Sequence, residues 1–163
     1  MRRLIPSNTS ICAHPKRAVS HASKHRAGAS VTAIQVLLVC SSSGGEMLAG
    51  MLRADNCAVR TANSFEAASE YLSRGESPVV ICERSLADGD WKDLLGKTPR
   101  LIVTSCVADE VLWAEVLNLG GYDVLMKPFD ATEVVRVVSL AWLNWKRTRE
   151  CRQAGPKLRA AAG

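Results

Sequence analysis

The sequence predicts an α/β fold, a doubly wound five-stranded parallel sheet with helices on both faces. Three observations carry that expectation. Five short, largely apolar runs are interleaved with amphipathic segments, and strands apolar on both faces belong in a parallel sheet covered by helices on both sides. The chain of 163 residues suits one domain and favours an open sheet over a closed barrel. A hydrophobic share of 47% against 23% charged excludes wholesale disorder. No apolar run approaches the roughly 20 residues that a membrane-spanning helix needs.

The first strand is read at Ala33–Val39, followed by a turn through Cys40-Ser41-Ser42-Ser43-Gly44-Gly45. Met47, Leu48, Met51 and Leu52 are spaced for the inward face of a helix. Cys57–Thr61 alternates weakly as a second strand near the sheet edge. Asn63 or Ser64 can cap a second helix whose apolar positions are Phe65, Ala68, Tyr71 and Leu72. Pro78–Cys82 is the third strand, ending at Glu83, and Leu101–Val103 the fourth, ending at Thr104 and Ser105. The next helix points Val111, Leu112, Val116 and Leu119 inward and stops at Gly120-Gly121. A fifth strand, Asp123–Met126, leads into Lys127-Pro128-Phe129. Asp130-Ala131-Thr132-Glu133 resembles a capping box, opening a helix with Val134, Val137, Val138, Ala141, Trp142 and Trp145 on one face. Past Lys146 the composition turns basic and then Gly/Pro/Ala-rich, and order should fade.

Three segments follow from this reading: a disordered basic tail over 1–30, a folded domain over 31–146, and a basic, Gly/Ala-rich tail over 147–163. Net charge is +5, but the first 30 residues hold six Lys/Arg and no acid, whereas 31–145 carries a net of −6. The Arg- and Ser-rich start is similar to an organelle transit peptide, although Pro6 and Pro15 favour a flexible tail. Of six cysteines, Cys40, Cys57, Cys82 and Cys106 lie in or beside apolar segments, where free thiols act as small buried hydrophobes. No CxxC pair or His at ligand spacing accompanies them, so structural thiols in a reducing cytoplasm are expected.

In an open parallel sheet, function gathers where the strands' carboxyl ends meet the loops. Those positions hold Cys40, Ser41, Glu83, Thr104, Ser105 and Lys127. Pro128 restricts the backbone of Lys127, and an ammonium placed there faces the carboxylate of Glu83. Glu83, Thr104 and Lys127 thus offer an acceptor, a hydroxyl and a cation around a phosphoryl-sized space. Spacing alone equally allows a satisfied ion pair at the rim of the sheet.

Three motifs then narrow the reading. Val79–Trp91 resembles the third strand and following loop of bacterial response-regulator receiver domains. Leu101–Ser105 is similar to their fourth strand with its switch Thr/Ser, and Lys127-Pro128-Phe129 matches the Lys-Pro-Phe that ends their fifth. The resemblance covers about 33–145. It implies a flavodoxin-like receiver fold with strand order 2-1-3-4-5. Glu83 then stands at the phosphoacceptor position, Thr104 and Lys127 are the remnants of the phosphate site, and two-component or phosphorelay signalling is the setting.

The departures bear on function. Receivers end strand one with an acidic pair that holds Mg²⁺; the matching positions here are Cys40 and Ser41. A thiol and a hydroxyl are poor substitutes for carboxylates around a hard cation, so weak or absent Mg²⁺ binding is expected and no other cofactor. Glu83 is one methylene longer than the family's Asp, and the aromatic switch position falls at Val124. The leading expectation is a stand-alone, atypical receiver-like module that is not an enzyme and works through protein contacts without phosphorylation. Its partners would be a histidine kinase or a downstream regulator. The family also associates through its fourth and fifth helices, which implies a homodimer. A phosphoaccepting response regulator is the alternative. A nucleic-acid-binding protein using the basic tails is the third, with no specific sequence recognition and no membrane partner in view.

Overall fold

The computed structural model describes residues 33–75 and 77–154. The expectations for residues 1–30 and for the last nine residues lie outside the described range. The described chain folds around five parallel strands: β1 (Ile34–Val39), β2 (Cys57–Ala62), β3 (Val79–Glu83), β4 (Leu101–Ser105) and β5 (Asp123–Met126). Their order in the sheet is β2-β1-β3-β4-β5, as the resemblance implies. Between them run α1 (Ser42–Ala54), α2 (Phe65–Ser73) and α3 (Glu110–Asn118), and the long α4 (Ala131–Ala154) follows β5.

Alternation along the strands divides the core into two layers. On one face Val36, Leu38, Ile81, Ile102 and Leu125 pack against Leu48, Ala49 and Leu52 of α1 and Val134, Val137, Val138 and Ala141 of α4. On the other, Leu37, Val39, Val80, Cys82, Val103 and Val124 meet Phe65, Ala68 and Leu72 of α2 and Leu112 and Val116 of α3. Between β3 and β4 no α-helix forms among the described residues. A small hairpin (Ser85–Leu86 with Gly89–Asp90) runs into a single 3-10 turn at Trp91–Leu94. Trp91 and Leu94, both fully buried, fill the volume there.

Several expected faces are corrected. In α1 the inward residues are Gly45, Leu48, Ala49 and Leu52, while Met47 is exposed. The close approach explains this phase: a Cβ at Gly45 would lie 2.1 Å from the Cys40 sulfur, so only glycine fits. In α3 the buried pair is Leu112 and Val116, and Val111 and Leu119 face outward. Gly120, at φ +94°, ends that helix, with Gly121 N–H donating back to the Val116 carbonyl at 2.8 Å. The expected loss of order after Lys146 does not occur, since α4 continues through Ala154. A stretch rich in helix-favouring Lys, Arg, Glu, Gln and Ala, with no Gly or Pro before Gly155, sustains it past the last core residue. Among the described residues no helix is long and apolar enough to cross a membrane.

Candidate functional site

The parallel register sets Glu83 beside Thr104 across β3 and β4, and Thr104 beside Leu125 of β5. Lys127 follows β5 directly and precedes a cis peptide bond to Pro128. Ser41 follows the end of β1 and is the residue before the first turn of α1. Four segments distant in sequence therefore deliver their polar groups to one edge of the sheet.

They converge on one carboxylate. Lys127 Nζ donates to Glu83 Oε1 at 2.5 Å. Ser41 donates twice to Glu83 Oε2, from its backbone N–H and from its hydroxyl, each at 2.8 Å. Ser41 occupies the N-cap position of α1, yet its side chain makes no cap hydrogen bond; the hydroxyl is diverted to Glu83. The carboxylate thus sits at the positive end of α1, a favourable place for an anion. Gly44 roofs the pair, since a Cβ there would lie 3.5 Å from Lys127 Nζ and 3.8 Å from Glu83 Oε1. The side chains of Glu83 and Lys127 are only 13% and 26% exposed, so water screens the pair incompletely.

Burial alone would raise the Glu83 carboxyl. The hydrogen bonds from Lys127 and Ser41, together with the lysine's charge, outweigh it and hold the group below its ordinary value. Burial pushes the neighbouring Cys40 thiol up, the Glu83 charge adds to that, and Lys127 only partly offsets it. Cys40 is therefore a protonated, buried thiol at neutral pH. Thr104 is buried beside Glu83, but among the described residues its hydroxyl makes no hydrogen bond to Glu83 or Lys127. Ser105 turns away, its hydroxyl bonded to the backbone of Val107. Val124 points into the core.

Of the residues singled out by sequence, the structure brings Ser41, Glu83 and Lys127 into direct contact and sets Cys40 and Thr104 alongside. The donor set does not suit Mg²⁺. It offers a neutral thiol, a hydroxyl already donating, and a single carboxylate with both oxygens engaged, and no cluster of three His, Cys, Asp or Glu side chains forms among the described residues. Sequence reasoning missed the double role of Ser41, because a backbone N–H reaching across to another strand leaves no mark in composition.

No family model and no curated protein sequence matches the chain. Solved structures do. A protein described as a response regulator from Chloroflexus aurantiacus is 26% identical, with a TM-score of 0.62, the match covering 68% of this chain and 98% of that one. The chemotaxis response regulator CheY4 of Vibrio cholerae matches at 17% identity and TM-score 0.61, over 68% and 99% of the two chains. The beryllofluoride-activated NtrC4 receiver domain, determined as a dimer, matches at 19% and 0.62, over 68% and 98%.

Proposed function

On the fold of a response-regulator receiver domain, we propose that this chain works as a signalling module of a two-component or phosphorelay pathway without being phosphorylated. The observation that supports it is the double capture of Glu83, with Lys127 on one carboxylate oxygen and Ser41 on the other. A phosphoacceptor needs a carboxylate oxygen free to attack and a cation to neutralise the transferring group. Here Lys127 already neutralises the acceptor itself, and the positions of the acidic pair hold Cys40 and Ser41. The extra methylene of Glu83 carries its carboxylate into the space a phosphoryl group would take. A displacement of about 1 Å in a reacting group can cost on the order of 10²-fold in rate. Glu83 instead fixes the end of β5 and the start of α1 in one arrangement, and signalling follows from contacts made by that arrangement.

The module is cytoplasmic and non-catalytic in this reading. Its outward surface is α3, the edge strand β5 and α4, where Trp113, Leu117, Met126, Leu140 and Leu143 are all exposed. Grouped apolar side chains on one edge suit a protein partner or a second copy.

The test is intact mass after incubation with acetyl phosphate and Mg²⁺. Wild type should show no adduct, and Glu83→Asp alone should not gain one. The triple variant with Asp at positions 40, 41 and 83 should gain about 80 Da, one phosphoryl group. An adduct on wild-type Glu83 would favour the phosphoaccepting alternative.

A further inference from the structure

The strand ends opposite Glu83 carry a second feature. A groove of about 590 Å³ lies between the loop 96–100, just before β4, and the last three turns of α4. Lys97 and Arg100 line it from the loop, and Trp145, Arg149 and Arg152 from the helix; among the described residues no acidic side chain lines it. None of the four cations has an ion-pair partner among the described residues.

The groove is braced. The Arg100 guanidinium donates to the Asn144 side chain, to Thr148 Oγ1 at 3.0 Å and to the Pro99 carbonyl, tying the loop to α4. Two polar atoms on the loop wall, Thr98 Oγ1 and Arg100 Nε, are buried without a hydrogen-bond partner among the described residues, which is uncommon in a folded chain. The half-buried Trp145 carries the Arg149 guanidinium over its ring, 5.3 Å from the centroid.

We propose that this groove binds a nucleotide unit, with the phosphate on the arginines and the base against the Trp145–Arg149 stack. Guanidinium groups match phosphate oxygens in paired hydrogen bonds, and an indole offers a sequence-tolerant face for a base. Residues 146–154, the last turns of α4, hold four Lys/Arg against one acid, a local positive balance that favours an anion. In sequence, Arg149 and Arg152 fall in the basic stretch past Lys146, where order is expected to fade. The helix that continues through Ala154 sets Arg149 over the Trp145 ring and brings Arg152 to the same groove. The nucleotide unit has two sources, a free nucleotide or a single strand of nucleic acid.

The experiment titrates the full chain with AMP, with ribose 5-phosphate, with polyglutamate and with a fluorescein-labelled oligothymidylate, by calorimetry and anisotropy. AMP should bind more tightly than ribose 5-phosphate, and Arg149→Gln/Arg152→Gln should weaken AMP about tenfold, as loss of charge-assisted bonds predicts. Trp145→Leu should weaken AMP but leave ribose 5-phosphate unchanged. Should that variant misfold by circular dichroism, the exposed arginine pair decides. Binding of AMP assigns a free nucleotide; binding of the oligonucleotide alone, lost in the same variants, assigns a strand. The proposal falls if neither binds, if ribose 5-phosphate or polyglutamate binds as tightly, or if the arginine variant binds like wild type.

Discussion

At the scale of single residues, the chemistry turns on Glu83. Its carboxyl is held low, so it adds stability in full above the ordinary glutamate range near about 4.3, and that contribution is lost as pH falls through the lower folded value. Glu83→Gln should cost about 1–3 kcal/mol at neutral pH, because Lys127 stays behind, three-quarters buried, without its counter-charge. Thermal melts should show the gap between wild type and Glu83→Gln widest near pH 7 and closing below about pH 4. An equal gap at all pH values would mean that the ion pair is not its source. Sequence made Glu83 and Lys127 legible, since each ends an apolar run and parallel strands align their ends. The partner on the other carboxylate oxygen stayed hidden, because Ser41 contributes a main-chain donor that every residue but proline owns. Cys82 was legible as inert, and its full burial pushes the thiol far up.

At the scale of elements, α2 is fastened from outside its own sequence. Ser64 caps it by accepting from Ala67 N–H at 3.1 Å, as the sequence suggests. Asp88, from the hairpin after β3, adds acceptors for Phe65 N–H at 2.7 Å and Glu66 N–H at 3.1 Å. The loop next to Glu83 thereby holds the first turn of a helix over 20 residues earlier. Asp88→Ala should cost about 1 kcal/mol, as loss of a cap does. Hydrogen exchange should speed up selectively at Phe65 and Glu66, and unchanged rates at those amides would remove the assignment. Such a clamp is invisible to periodicity. Helix phase was also hard to read in α1. Met47 and Met51 weigh as apolar in any count, whereas the buried face uses Gly45 and Ala49, whose value is their small size. In α3, Val111 and Leu119 look inward by spacing but are exposed, and Leu112 and Val116 take the core positions.

For the whole molecule, alternating strands and helices were enough to give the architecture, because runs apolar on both faces leave few places to go. The length of α4 was not, since charged residues propagate a helix as readily as they form a tail. The outward edge made by α3, β5 and α4 leads to the last solution prediction. Full-length protein should self-associate through it, and Leu140→Glu/Leu143→Glu should shift the species to monomer in light scattering without lowering the melting temperature. Both side chains are about half exposed, so the fold does not depend on them. A monomeric wild type at high concentration would leave that edge to a different protein.

The missing helix between β3 and β4 has an optical consequence. Trp91 takes its place as the one fully buried indole of the four tryptophans, with Nε1 lacking a hydrogen-bond partner among the described residues. An indole in such surroundings emits at shorter wavelengths than Trp113, Trp142 or Trp145, which keep some contact with water. Trp91→Phe should therefore remove the bluest part of the emission band, and a band left unchanged would place that colour elsewhere. The backbone N–H of Trp91 donates to the carbonyl of Arg84, the residue after Glu83, at 3.1 Å. The core thus holds its own chromophore, bonded to the residue next to Glu83, and a shift there can be followed as colour in the unlabelled protein.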